Sequence, residues 1–509
     1  MTAANVLHIT VDQWRGDCLS AAGHDVVETP TMDRLAGRGV RFANHWSVTA
    51  PCGPSRASLH TGLYLMNHRS VGNGTPLDDR FTNIAREARG AGYDPVLFGY
   101  TDTSVDPRVV TDPDDPRLRD YEGVLPGFTP EVVLTGRNLG PWGRWLAARG
   151  VDVPADPAEL HQPMPGYPGA SDHEPSWAPT RFRAEHSETA FLTGEVAAWL
   201  DRRDDRPWFA HVSYIRPHPP YRAPEGYHDR YAPEAGAPFR RGPDRVAEAS
   251  MHPVHAAALF QAGGPEREAE ARQLRATYWG NMAEVDHQLA ILLDHLDASG
   301  HGADTLIVLT SDHGDQMGDH WLVEKLGWWD ESYHVPLIVV DPRAEADASR
   351  GTVVDAFTES VDVMPTLCQW LGTEVPVIVD GRPLQPFLHG LEAPADWRTE
   401  AHWQWDFRDP VRHRAEDRLG LTMEQCGLDV VRTATHKYVH FGDGSSLLFD
   451  LTSDPDQLVD RAGDPSAAAD QVDLLGRLVS WRQRHDDRTL TGTRITAKHG
   501  LVSRRDPRR

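Results

Sequence analysis

Residues 50–62 read APCGPSRASLHTG and place one cysteine, Cys52, directly ahead of a Gly-Pro pair. Pro54 suits the first turn of a helix, Gly53 permits a tight approach to it and Gly62 suits its stop, so the spacing predicts a helix over 54–61. Cys52 then lies just off the helix N-terminus, where unsatisfied N–H groups and the helix dipole stabilise negative charge on a thiolate, an alkoxide or a bound oxyanion. Arg56, one turn in, can project back toward the same charge. A helix start with an incidental cysteine is the alternative that this local pattern leaves open. Two other stretches carry ligand-type side chains. The apolar run 6–11 stops at Asp12-Gln13, and the run 305–310 stops at Ser311-Asp312-His313-Gly314. Both read as buried parallel strands ending in polar groups. In open α/β sheets the ligand crevice lies beyond the carboxyl ends of the strands, so carboxylates and an imidazole at two such ends point to one cation-binding site rather than to ordinary loops.

The elements that must position these groups can be read in outline. Leu274, Tyr278, Met282, Val285, Leu289, Leu292 and Leu296 recur every three or four residues, an apolar stripe on a long helix that ends at Gly300. Residues 209–214 and 337–340 read as further strands. The Pro/Gly-rich stretches 161–179 and 217–265 read as long ordered loops over the sheet face, the kind of segment that carries function. Past Gly381-Arg382-Pro383 the pattern changes to short strand-like runs at 437–441 and 446–451, then a helix around 473–484. The expectation is an α/β catalytic domain over 1–385 and a smaller α+β domain over 386–509, with short antiparallel strands and a helix. The basic end, 504–509, reads as a frayed terminus.

Bulk properties narrow the function. The 509 residues suffice for roughly two to three domains. With 51 Lys+Arg against 75 Asp+Glu the net charge is -24, which argues against coating nucleic acid or an anionic membrane, and an anionic substrate needs a local positive site. Neither a leader nor a long apolar span is visible, so the expectation is a soluble cytoplasmic protein. Four cysteines without a CxxC pair cannot staple such a chain, and Cys18, Cys368 and Cys426 read as small buried hydrophobes. No G-x-G-x-x-G follows the first strand, which leaves a dinucleotide-binding enzyme without support.

Cys-x-Pro-Ser-Arg followed by Ala-Ser-Leu-x-Thr-Gly resembles the sulfatase signature, whose cysteine is oxidised after translation to formylglycine. Asp12-Gln13, Asp312-His313-Gly314, Lys325, the run 357–366 (FTESVDVMPT) and the run 449–455 (FDLTSDP) follow in family order. CGPSRASLHTGLYLMNHRS, GYDPVLFGYTDTSVDPR, YIRPHPPY, SDHGDQMGDH and SWRQRHDDRTLT are similar, within that superfamily, to the phosphonate monoester hydrolases, from about Asn5 to Thr491. The resemblance implies an alkaline-phosphatase-like mixed sheet flanked by helices, a small C-terminal domain, one divalent metal and a formylglycine nucleophile. It implies Asp12, Gln13, Asp312 and His313 as metal ligands together with the diol at Cys52. Oxygen donors with one imidazole suit Mn²⁺ or Ca²⁺, with Zn²⁺ as a third candidate. Arg56 is then expected to neutralise the diol oxyanion and the non-bridging oxygens, His218 and Lys325 to contact substrate and help the leaving group, and Asn73 and Tyr100 to donate hydrogen bonds to charge.

The chemistry follows from the aldehyde hydrate. One oxygen attacks phosphorus or sulfur to give a covalent ester, and the second, on losing its proton, collapses the hemiacetal with C–O cleavage, restoring the aldehyde. A serine would need water for release. One departure from the family stands out: Tyr100-Thr101-Asp102-Thr103 puts an aspartate where a second threonine is expected. Asp102 repels a dianionic substrate, attracts a substrate cation or points to solvent, with Thr101 or Thr103 taking its place. The expected activity is hydrolysis of phosphonate monoesters and phosphodiesters, with promiscuity toward sulfate esters. The rivals are an aryl or alkyl sulfatase and a non-catalytic metal-binding protein with unmodified Cys52. The expected partners are a small anionic ester and a formylglycine-generating maturation enzyme, with no nucleic acid and no membrane. A homo-oligomer, tetramer or dimer, is implied by the resemblance alone.

Overall fold

The computed structural model describes residues 5–204 and 206–503; the predicted frayed end at 504–509 lies outside them. Its centre is an eight-stranded sheet: β1 (Asn5–Val11), β2 (Val40–Phe42), β3 (Pro95–Gly99), β4 (Thr129–Val133), β5 (Phe209–Tyr214), β6 (Thr305–Thr310), β7 (Leu337–Val340) and β8 (Thr352–Val354), in the order β4-β3-β5-β1-β6-β7-β2-β8. All neighbours run parallel except around β7, which is antiparallel to β6 and β2, so the sheet is mixed as expected. The two strands that end in Asp12 and Asp312 are adjacent, with Thr10 opposite Thr310. Their carboxyl ends therefore open into one crevice.

The period of two sorts the side chains of these strands onto two cores. Leu7, Ile9, Val11, Ile307 and Leu309 face the long helix, here α3 (Glu268–Ala298), and α2 (Glu188–Leu200), where Tyr278, Met282, Val285, Leu289 and Leu292 are fully buried. Val6, Leu306 and Val308 face the opposite side with α1 (Cys52–Thr61) and α4 (Val363–Trp370). Asp12 and Asp312 share the parity of Val6 and Leu306, and so project toward α1, which carries Cys52 and Arg56.

Residues 401–450 form a four-stranded antiparallel sheet, β9 (Ala401–Asp406), β10 (Gly427–Arg432), β11 (His436–Phe441) and β12 (Ser446–Asp450), flanked by α5 (Ala468–Arg484). This sheet shares a core with the crevice loops: Trp403, Phe441 and Phe449 pack in one cluster with Trp328, Trp329 and Tyr333, and buried Lys437 donates to Asp330 at 3.1 Å. The stretch 217–265 is not all loop, because it includes helices Arg245–Ala249 and Pro253–Ala262. Its Ala-rich segment is helical once it can pack against the C-terminal sheet; Val254, Ala258 and Leu259 are buried in that cluster. Cys18, Cys368 and Cys426 are free and buried, as read from the sequence. Among the described residues no helix is long and apolar enough to cross a membrane.

Candidate active site

Helix α1 begins at Cys52 itself, two residues before the predicted start, so the cysteine occupies the first helical position with Pro51 just ahead of it. Pro51 has no side chain able to cap. The cap comes from elsewhere in the chain: Asn73 Oδ1 accepts the Gly53 N–H at 2.9 Å. Gly53 is the residue that permits this approach, since a Cβ there would lie 3.2 Å from both Asn73 Oδ1 and the Asp102 carbonyl.

Asp12, Cys52, Asp312 and His313 are all buried, and one ligand atom from each lies within 4.8 Å of the others. His313 Nδ1 is 3.0 Å from the Gly314 carbonyl, which assigns the proton to Nδ1 and leaves the Nε2 lone pair facing Cys52 Sγ at 3.2 Å. Burial holds the imidazole neutral, its pKa lowered to about 4. Asp12 Oδ1 is buried with no hydrogen-bond partner, and burial followed by the neighbouring Asp312 pushes the Asp12 carboxyl well above its usual range. A bound divalent cation fits these donors, because it would satisfy the orphaned oxygen and relieve the repulsion between the carboxylates. Gln13 turns its amide oxygen to the edge of this group, where it accepts from Lys325 Nζ at 2.8 Å.

Arg56 is committed to the carboxylates. Its Nε donates to Asp312 at 2.9 Å, Nη2 to Asp12 at 3.1 Å, and Nη1 to Ser213 Oγ at 2.7 Å and the Tyr100 carbonyl at 3.2 Å, with Tyr100's ring 4.1 Å beneath it. Buried without this guanidinium, the two acids would be left unpaired. Tyr100 donates its hydroxyl to Asp12 rather than offering it to the crevice. His218 and Lys325 meet: Nζ lies 3.1 Å from Nε2, while Nδ1 lies 3.0 Å from the Pro219 carbonyl. Burial, then Lys325, drives the His218 pKa well down. For Lys325, burial lowers the pKa but is outweighed by Cys52, Glu324 and Asp12, which keep it charged. The pair is a protonated amine donating to a neutral imidazole, a device able to deliver a proton to a departing oxygen.

Asp102 does not point to solvent. It is buried at 5 % exposure with φ of 50°, its Oδ1 has no partner, and burial raises its pKa to about 7 against the opposing effect of Arg56. Nor do the flanking threonines replace it: Thr101 Oγ1 bonds Gly123 O and Leu125 N, and Thr103 Oγ1 bonds Thr101 O.

Several positioning residues escaped the sequence reading. Asp315 accepts from the Gln13 amide and from Tyr221 OH, and also from the Met317 and Glu324 N–H groups, each at 2.9 Å, so it sets both Gln13 and the start of the Lys325 turn. Arg216 donates to the carbonyls of His218 and Pro220 at 2.6 and 3.0 Å, and to Glu188, and so pins the His218 loop. The signal for Asp315 was its place three residues after Asp312. Ser213 and Glu188 had none, since their contacts span more than 25 residues.

A metal-type cluster at adjacent strand ends, next to a helix that starts at Cys52, is the arrangement of an ester hydrolase of the sulfatase class, and the sulfatase family model matches residues 4–373. The chain belongs to that family, in the alkaline phosphatase superfamily. A second model, described as N-sulphoglucosamine sulphohydrolase, C-terminal, matches residues 318–484. The chain is 41% identical, over 99% of its length and 100% of the relative's, to the multifunctional alkaline phosphatase superfamily protein PehA of Trinickia caryophylli. Two solved structures agree over nearly the whole fold: the phosphonate monoester hydrolase of Agrobacterium radiobacter (45% identity, TM-score 0.93, 99% of this chain and 100% of that one) and that of Silicibacter pomeroyi (40%, 0.92, 99% of each). An arylsulfatase of Clostridium perfringens is more distant, 26% identical over 93% of each chain.

Proposed function

We propose that the protein hydrolyses phosphonate monoesters and phosphodiesters, with secondary activity on sulfate esters, through a formylglycine made from Cys52. The observation that carries the reading is Cys52 Sγ within the Asp12, Asp312 and His313 cluster at the positive end of α1. The sulfur marks where the oxygens of the aldehyde hydrate would stand. Identity of 40–45% to the phosphonate monoester hydrolases of Agrobacterium radiobacter and Silicibacter pomeroyi favours phosphorus over sulfur.

In this reading Asp12, Gln13, Asp312 and His313 hold one divalent ion, Mn²⁺ or Ca²⁺ before Zn²⁺, which when bound supplies Lewis acidity at the nucleophile. Arg56 favours the ionised forms of Asp12 and Asp312 and holds both in place, and its positive charge lies one turn from the nucleophile. Lys325 and His218 give a proton to the leaving oxygen. Asn73 holds the first turn of α1. Asp102, raised by burial to about 7, is protonated in a large share of molecules near neutral pH, and in that form it donates to a non-bridging oxygen instead of repelling it.

Two measurements test this. Mass spectrometry of the Cys52 peptide from the native host is expected to show the aldehyde, and an unmodified thiol there overturns the nucleophile. Purified enzyme should then prefer a phosphonate monoester to an aryl sulfate bearing the same leaving group; strong preference for the sulfate makes it a sulfatase. Cys52→Ala should fold normally and lose turnover.

A further inference from the structure

The loop that presents His218 has a second side. Two residues on, Pro220 and Tyr221 leave the catalytic cluster and line an open cavity of about 360 Å³ together with Arg222, Leu274 and Glu270. The connection to the reacting groups is direct, because Tyr221 OH donates to Asp315 at 2.7 Å, and Asp315 holds the amide of Gln13. The loop is also stiff, being pinned by Arg216 through the carbonyls of His218 and Pro220. The cavity thus begins two residues along the same loop from His218, the residue placed beside the leaving group.

Arg222 is the odd residue in it. The chain carries 24 more acidic than basic side chains, and three buried guanidiniums near the reacting groups are paired: Arg56 with Asp12 and Asp312, Arg216 with Glu188, Arg15 with Asp319. Arg222 is half-buried, and among the described residues its side chain makes one hydrogen bond, to the Tyr221 carbonyl at 3.4 Å, and no ion pair. Burial alone acts on it, lowering its pKa. The acid in the same cavity, Glu270, sits 3.4 Å from Arg267 and is thereby partly neutralised. An unpaired, partly desolvated cation costs stability unless a ligand completes it. Leu274 and Pro220 beside it supply an apolar wall.

We propose that this cavity is a subsite for the remote end of the leaving group, taking esters whose leaving arm has an apolar body and ends in an anion, a carboxylate or a second phosphate, which pairs with Arg222. The proposal rests on the ester-hydrolase reading above, since it assigns the leaving-group side to His218 and Lys325. It makes Arg222 a determinant of which ester is taken.

The test uses two aryl phosphonate monoesters with leaving groups of equal pKa, one with a para alkyl chain ending in a carboxylate and one ending in a neutral amide. The matured enzyme is expected to favour the carboxylate about tenfold in kcat/KM, mostly through KM, and the preference should shrink as salt is raised. Arg222→Ala should bring the ratio to about one, and Arg222→Lys should keep part of it. A ratio near one in the wild type, or a ratio that Arg222→Ala leaves in place, overturns the subsite while the hydrolase reading stands. If phosphonates are not turned over but sulfates are, the same two arms on sulfate esters give the same ratio test. Turnover of neither series overturns both readings.

Discussion

Three histidines that no catalytic step uses should make the fold sensitive to acid. His8 on β1 and His211 on β5 are register partners, and His60 on α1 lies one turn beyond Arg56; their ring centroids are 4.6, 5.0 and 5.8 Å apart. All three are fully buried, and five of the six ring nitrogens have no partner; the sixth, His211 Nδ1, reaches the His8 carbonyl at 3.2 Å. Burial, then the positive charge of Arg56, holds His8 down at about 3; burial, then the neighbouring histidines, drives His60 and His211 well below 6.5. The folded state therefore refuses protons that the unfolded chain accepts. Above pH 6.5 nothing is lost; below it stability falls as pH falls, by about 1.4 kcal/mol per histidine per pH unit. At pH 5 the three together cost about 6 kcal/mol, a large share of what a domain has. The perturbation is His8→Leu with His60→Leu, which removes two of the three titrations, about 4 kcal/mol of the difference between pH 7 and pH 5. Urea unfolding followed by tryptophan fluorescence, at half-unit steps from pH 7.5 to 5, reads it. Repacking shifts the variant's curve by a constant, so only the divergence from wild type with pH counts. Parallel curves down to pH 5 refute the reasoning.

Asp12→Asn keeps the shape of the ligand but removes its charge; metal bound per chain, read by elemental analysis, should fall well below that of the wild type, and activity should drop by at least about a hundredfold. Chelation of the wild type should give a comparable loss that added divalent ion restores. Gly280→Ala puts a Cβ 2.2 Å from the Tyr227 carbonyl oxygen in the middle of α3. It should lower stability by about 2 kcal/mol although alanine is the better helix former, and a raised melting temperature would show that the segment moves aside freely.

What could be read from the sequence was what neighbouring residues decide among themselves. The strands ending at Asp12 and Asp312 and the stripe of α3 follow from local apolar patterns, and the alternation along β1 and β6 explains why both carboxylates face α1. The parts that escaped depend on contacts between distant segments. Asn73 caps a helix from 20 residues away, which moved the start of α1 to Cys52. Arg56 was expected at the diol oxyanion and the non-bridging oxygens and Tyr100 as a donor to charge; in the fold both already bond the carboxylates, Arg56 to Asp12 and Asp312 and Tyr100 to Asp12, because two buried acids need donors before any ligand arrives. His8 and His211 sit inside stretches that read as buried strands and His60 in the helix read at 54–61, and only the packing of α1 on the sheet brings them together.

Cys52 is 4 % exposed, at the start of a helix whose every residue is buried. An enzyme that oxidises a cysteine must hold the surrounding peptide in its own cleft, and the folded protein offers no such strand. On the proposed reading the conversion is thus a matter of timing: it precedes the closing of α1 against the sheet, while the chain is still open. Protein that folds first is locked as the thiol, and later addition of the maturation activity cannot revive it without unfolding.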